Sequence, residues 1–208
     1  MESNIDLMSF SSHKIYGPKG VGALYLKSKF PKIRLTPRVD GGSQERGFRA
    51  GTLNVPGIVG LGKACAVARA EMGTETARIK ELRDRLYNGI ISGLPEVKLN
   101  GDPGNRIANN LNITIKNVNS DSLLIAIKEI AISTGSACSS ESVETSHVLK
   151  AIGLDDKHKH SSLRFGLGRF TTAEEIEYVI CKVVKKAKNL RDISPLFRVT
   201  NEGEYAGF

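Results

Sequence analysis

Cysteine is scarce in this sequence: Cys65, Cys138 and Cys181 are the only three among 208 residues. None of them forms a Cys-x-x-Cys pair for zinc, and three scattered thiols cannot build the bridged framework of a small secreted scaffold. Long apolar runs are also lacking, since no stretch approaches the roughly 18 residues of a membrane-spanning helix. The leading "MESNIDLMSF" has neither the basic region nor the apolar core of a secretory signal. A cytoplasmic protein with no membrane partner is therefore expected. There is no internal repeat and no low-complexity segment. Two glycine-rich stretches fall short of phosphate loops: "GPKGVGA" lacks the Gly-Lys-Ser/Thr ending, and "GLGKA" has alanine where the hydroxyl belongs. A dinucleotide fingerprint fails as well, because the third glycine is missing and the segment leads into a strand.

A single strongly signed patch is absent too. The formal net charge is +8, but the basic residues are interleaved with acids along the chain. The densest cluster, "KVVKKAK" at Lys182 to Lys188, lies on a helical pattern whose apolar stripe faces elsewhere. That reads as a solvated helix face, with no nucleic acid as primary partner.

What is present is the composition of a globular protein, 40% hydrophobic and 25% charged, enough to pack a core. "NIDLMSF" and "GVGALYLKS" read as two strands joined through a Gly-Pro turn. Residues 31 to 55, with "DGGSQERGFRAGT", read as a long irregular loop of the kind used at functional sites or interfaces. Pro56 opens a helix to about Met72, and a second helical pattern runs from about Thr74 to Ser92. Short strands then alternate with helices: "VKLN", "NNLNITI", a helix from Asp121 to Glu129 capped by Ser120, "AIS", and "SSLRFGL". Thr171 and Glu174 form a capping box before a last helix that ends near Asp192. The class is α/β or α+β, with a boundary near residues 70 to 75. The front piece, two strands and a loop, cannot bury a core of its own.

Cys65 shares a helical face with Ile58, Leu61, Ala68 and Met72, and is expected in a core. Cys181, beside Ile176, Val179, Ile180, Val183, Val184, Ala187 and Leu190, is expected to be structural as well. Cys138 differs: "STGSACSSES" surrounds it with small polar residues that suit an exposed thiol. Reaction at neutral pH would need a cation or a helix N-terminus beside it, and the helix implied around Thr145 to Ala151 could supply the latter. Ser11, Ser12, His13 and Lys14 combine hydroxyls at a strand end with an amine. A phosphate and an aldehyde on one cofactor, as in pyridoxal phosphate, would use that set; an exposed turn lysine would need none of it. Arg164 and Arg169 in "HSSLRFGLGRF" could each hold a carboxylate or a surface ion-pair partner.

Four segments in order, "DLMSFSSHKIYGPKGVGALYL", "GGSQERGFRAGTLNVPGIVGLGKA", "STGSACSSESVETSHVLKAIGL" and "HSSLRFGLGRFTTAEEIEYV", resemble the cysteine desulfurases of the NifS/IscS type. The match runs from about residue 4 to 197. The resemblance implies an α/β, fold-type I pyridoxal-phosphate-dependent transferase, of which this chain is the C-terminal half. Residues 1–72 would be the C-terminal portion of the cofactor-binding large domain with an interface loop, 73–195 a small α/β domain carrying the cysteine loop, and 196–208 a tail. It implies Lys14 as the Schiff-base residue, Ser11 and His13 on the cofactor phosphate with Ser12 in the same turn, and Thr52 on the phosphate of a partner subunit's cofactor in a homodimer. Cys138 would accept the sulfur as a persulfide, and could transiently ligate an iron–sulfur cluster shared with a scaffold. Arg164 would bind the substrate carboxylate. The implied reaction converts L-cysteine to L-alanine and hands sulfur to an iron–sulfur scaffold or other acceptor protein. The family's chain is about twice this long, so a companion N-terminal half, a truncated non-catalytic fragment, and a related enzyme such as selenocysteine lyase stand as alternatives. The tail "RVTNEGEYAGF" departs from the family's usual ending.

Overall fold

The computed structural model describes residues 4–28, 33–134, 146–155 and 160–193. The chain divides into two units, Met1–Gly73 and Thr74–Phe208.

In the first unit, strands β1 (Leu7–Ser11) and β2 (Gly22–Leu26) pair antiparallel, with Leu7 opposite Leu26 and Ser11 opposite Gly22. The ladder extends at its open end through the Lys27 N–H to the Asp6 carbonyl, beside a 3.0 Å Lys27–Asp6 ion pair. One turn of 3₁₀ helix, Ser12–Ile15, leads out of β1 and closes on Tyr16, whose φ of 64° is left-handed. Residues 33–54 are irregular apart from a 3₁₀ turn at Gln44–Gly47, as the proline and glycine content leads one to expect.

Helix α1 (Val55–Gly93) then runs for 39 residues. The Asn54 side chain accepts from the Gly57 N–H at its start, and Pro56 is its second residue. The sequence suggested two helices meeting near Gly73. A lone glycine costs a helix only about 1 kcal/mol relative to alanine, and the surrounding Ala, Glu, Met and Arg are good helix formers, so the helix continues. The unit boundary falls inside it.

The second unit holds a four-stranded antiparallel sheet in the order β3-β4-β6-β5, where β3 is Val97–Leu99, β4 Asn110–Ile115, β5 Ser133–Thr134 and β6 Ser162–Gly166. Alternation sorts the two faces. Leu111, Ile113 and Ile115 of β4 and Leu163 and Phe165 of β6 are buried in the apolar core, while Asn112, Thr114, Ser162 and Arg164 take the opposite parity. Ile79, Leu82, Leu86 and Ile90 of α1 join that core, as do Leu123 of α2 (Ser120–Ala126) and Ile176, Val183 and Ala187 of α4 (Ala173–Ile193). Helix α4 lies close enough to α1 that a β-carbon at Gly89 would collide with Ile180. A short helix α3 (His147–Ala151) buries Leu149.

Several local expectations move. The cap of α2 is Asn119, whose side chain accepts from the Ser122 N–H at 2.9 Å, and the helix stops at Ala126, short of Glu129. The capping box of α4 is Thr172 with Glu175, where each side chain accepts from the other's backbone N–H. Thr171 instead accepts from Gly168 in the preceding turn. Cys65 is exposed, and so is Cys181. Of the stripe that was to bury Cys65, Leu61 is buried, but Ile58 is 40% and Met72 63% exposed. On α4 the buried line is Ile176, Val183 and Ala187, and Cys181 falls off it. No helix among the described residues is long and apolar enough to cross a membrane.

Candidate functional site

The first unit presents the Ser-Ser-His-Lys turn. Ser11 ends β1 half-buried, while His13 and Lys14 point into solvent from the 3₁₀ turn. Among the described residues no salt bridge engages the Lys14 ammonium. Ser12 faces the other way. It is fully buried, its N–H donates to the Val21 carbonyl, and among the described residues its Oγ has no hydrogen-bond partner. Gly17 closes the turn by donating to the Ser12 carbonyl at 3.0 Å, and any β-carbon there would collide with the Ser12 Oγ. The turn therefore packs its backbone tightly and leaves a hydroxyl edge, an imidazole and an amine outward. That donor set suits a phosphate with an aldehyde nearby through Ser11, His13 and Lys14; the Ser12 hydroxyl points away from solvent.

Thr52 is exposed in the loop that precedes α1. The backbone around it is clamped: Arg49 Nη1 donates to the Gly51 carbonyl at 3.0 Å and to that of Thr52 at 3.2 Å, and Gln44 Oε1 accepts from the Gly51 N–H at 3.1 Å. Glu45 and Arg46 both adopt left-handed φ, 48° and 58°, which is uncommon for side-chain-bearing residues. Strain of that kind collects where a loop has a set shape to hold.

In the second unit the two candidate arginines part company. Arg169 binds Glu75 through Nε at 2.9 Å and Nη2 at 2.7 Å, so its fork is spent on a half-buried ion pair within the fold. Arg78 braces the same loop by donating to the carbonyls of Arg169 at 2.6 Å and Thr171 at 2.8 Å. Arg164 is exposed on the polar face of β6 and donates only its Nε, to Ser133 Oγ at 3.1 Å. Among the described residues Nη1 and Nη2 of Arg164 carry no hydrogen bond or ion pair. They form a free two-donor edge of the kind that matches a carboxylate.

Cys138 lies outside the described residues, as does Thr145. Among the described residues no group of three His, Cys, Asp or Glu side chains could hold a metal ion. A groove of about 700 Å³ between α1 and α4, lined by Lys80, Asp84, Arg85 and Glu177, includes none of the predicted site residues. Its charges are mutually satisfied in the Lys80–Asp84 and Arg85–Glu177 pairs, so it offers little to a charged ligand. The basic face of α4 is likewise partly engaged: Lys182 donates to Glu129 at 2.8 Å and sits over the Tyr178 ring.

Ser133 and Asn112, the cross-strand neighbours of Arg164, were not singled out from sequence. Ser133 sat in "AIS" as an ordinary strand residue; only the register places it opposite an arginine.

Comparison with known proteins adds a second line. The family model described as aminotransferase class-V matches residues 1–179. A cysteine desulfurase IscS from Anaeromyxobacter sp. strain Fw109-5 is 52% identical over 202 residues, which is 97% of this chain and 50% of that protein. The chain spans about half the length of the curated relatives it matches. Among solved structures, a NifS-like protein superposes with a TM-score of 0.77 at 30% identity, covering 89% of this chain and 47% of that one. An SspA structure in complex with cysteine gives a TM-score of 0.56 at 35% identity, over 81% of this chain and 46% of the other.

Proposed function

The chain belongs to the class-V aminotransferase family, and we propose that it works as part of a cysteine desulfurase that converts L-cysteine to L-alanine and passes the sulfur on as a persulfide. The observation that carries this reading is the 52% identity to a cysteine desulfurase across nearly the whole chain. The cysteine held by the similar SspA structure supports the same substrate.

The resident cofactor in this reading is pyridoxal 5′-phosphate. Ser11 and His13 would hold its phosphate from one chain, Thr52 would reach that of a partner subunit in a homodimer, and Lys14 would be the amine that joins it. When bound, the cofactor supplies an electron-withdrawing ring that accepts the electron pair released at the substrate's Cα. Lys14 then moves the proton at Cα, a task for which an exposed amine at the end of a rigid turn is suited. Arg164 binds the substrate carboxylate end-on through its free Nη1 and Nη2. The Cys138 thiolate attacks the substrate sulfur: the S–S bond forms, the Cβ–S bond breaks, and Cβ takes a proton to give alanine. A sulfur acceptor, in this reading an iron–sulfur scaffold protein, collects the outer sulfur, and any cluster iron that meets Cys138 there is cargo.

A second reading, a chain that is inactive until another protein surface covers β1 and β2, is favoured by the exposure of Leu7, Met8, Phe10, Leu24 and Tyr25 on those strands. Absorbance tests this second reading, which a full Schiff-base band from the chain by itself would overturn. The purified chain mixed with pyridoxal 5′-phosphate should show little or no Schiff-base band by itself, and a band together with alanine and sulfide when isolated with its native partners. In that active assembly, Cys138→Ala should stop sulfur release while keeping the band. Alanine formation that survives Cys138→Ala would overturn the proposed sulfur relay.

A further inference from the structure

The four-stranded sheet carries a polar row on the face turned from its core. From β3 to β5 that row runs Asn100, Asn112, Arg164 and Ser133: Asn112 stands opposite Arg164, and Arg164 opposite Ser133. Asn100 is buried, and its side-chain oxygen accepts from Thr114 Oγ1 at 3.0 Å. Its amide nitrogen is therefore the donor that reaches Asn112 Oδ1 at 2.6 Å. The Asn112 oxygen is thus engaged by Asn100, and among the described residues no hydrogen bond joins Asn112 to Arg164. A guanidinium has donors and no acceptor, so the amide N–H groups of Asn112 cannot bond to it, and its oxygen is already drawn toward Asn100. On the other flank Ser133 supplies an oxygen, and Arg164 Nε donates to it at 3.1 Å.

We propose that Ser133 is a positioning residue for Arg164. By accepting the Nε–H, it removes the side-on edge of the guanidinium from use and holds the plane so that only the Nη1–Nη2 edge can meet a carboxylate. Asn112, whose oxygen is drawn to Asn100 and through it to Thr114, makes no bond to Arg164 that competes with this one. The carboxylate end of this inference rests on the reading of Arg164 as the substrate anchor. The hydrogen-bond end does not, since it concerns Arg164 before any ligand arrives.

The test uses the full 208-residue chain with ¹⁵N-labelled arginine, and the Arg164 signals are assigned by their loss in Arg164→Lys. In the unaltered chain the Arg164 Nε–H should exchange slowly with water. Ser133→Ala should speed that exchange by about tenfold, the scale of one lost bond to a charged donor. Ser133→Thr, which keeps the hydroxyl, should restore the slow rate, separating positioning from mere packing. Binding is then compared for L-alanine and for ethylamine, the same amine without the carboxylate. Ser133→Ala should weaken L-alanine by about tenfold and leave ethylamine unchanged. Unaltered Nε–H exchange in Ser133→Ala overturns the proposal. So does L-alanine affinity that falls in Arg164→Gln but not in Ser133→Ala. Affinity that ignores Arg164→Gln overturns the reading of Arg164 as anchor, and the carboxylate end of the inference falls with it.

Discussion

The two units spend similar apolar residues in opposite ways. In the second, a sheet with one apolar face meets helices with one apolar stripe each, and Ile90, Ile113 and Leu123 lose all contact with water. In the first, Leu7 and Met8 are adjacent on β1, so apolar side chains leave both faces of a two-stranded sheet. Among the described residues of that unit, only Ala50 and Leu61 are buried hydrophobic side chains. Two strands alone are marginal in water, and strands apolar on both faces are the kind found inside a larger sheet with layers on either side. The comparison teaches where stability resides: the second unit supplies its own core, and the first holds its shape by turns and backbone bonds.

The largest effect that can break this contrast is a pair of truncations. Leu86→Ala, at a site 1% exposed, should cost about 2 to 5 kcal/mol, the transfer loss plus a cavity. Leu24→Ala, at a site 56% exposed, should stay within about 0.5 kcal/mol. Urea unfolding followed by far-UV circular dichroism reads the first, and amide exchange in β1 and β2 the second. If Leu24→Ala proved as costly as Leu86→Ala, the first unit would have a covered core and the contrast would be void.

Ser12 sharpens the contrast from the other side. Among the described residues its hydroxyl is the polar side-chain group of the first unit that is buried without a partner. Leaving such a group unsatisfied costs about 1 to 3 kcal/mol, whereas removing it leaves little more than a methyl-sized change in packing. Ser12→Ala should therefore stabilise the turn, slowing exchange of the Gly17 N–H, which donates to the carbonyl of residue 12. Faster exchange in the variant would mean that the hydroxyl has a partner in solution, and the turn would then be held by side chains as the second unit is.

How much of this was legible in the sequence depends on range. Alternation in "NLNITI" and "SLRFG" announced β4 and β6 and their polar faces, because a strand's period is a local property. The box before α4 was legible only to within one residue. Thr171 with Glu174 and Thr172 with Glu175 have the same spacing, and the choice turns on Thr171 being occupied by Gly168. The exposure of Cys65 is hidden from sequence for a different reason: helical spacing says which face is apolar but not whether anything lies against it. The candidate site split in the same way. Lys14 and its neighbours stood out as a cluster in the sequence, and Arg164 and Arg169 looked alike there. What separates them is Glu75, ninety-four residues from Arg169, and Ser133 across a strand, neither of which any local pattern reveals.

The smallest effect concerns acid, and it bears on the second unit's surface. Asp84, Asp102, Glu129 and Glu174 are all held below the ordinary carboxylate range. For Asp84, burial alone would raise it, and hydrogen bonds from Lys80 and Arg83 outweigh that. Asp102 is lowered by the backbone N–H groups of Asn105 at 2.6 Å and Gly104 at 2.7 Å, and Glu129 chiefly by Lys182. A carboxyl whose folded pKa is depressed adds stability that is complete above its unfolded value and is lost as pH falls through the folded one. The second unit should thus weaken below about pH 4, and modestly, because these groups lie at the surface where water screens them. Salt distinguishes the causes. The Glu129–Lys182 attraction is between exposed charges and should fade at high ionic strength, while the short backbone bonds to Asp102 depend less on it. Asp102→Asn should therefore flatten part of the acid limb of the unfolding curve at low and high salt alike, and Glu129→Gln only at low salt. If both effects vanished together in salt, long-range charge rather than local bonding would set the acid response, and the Asp102 turn would not be the brace that its geometry makes it.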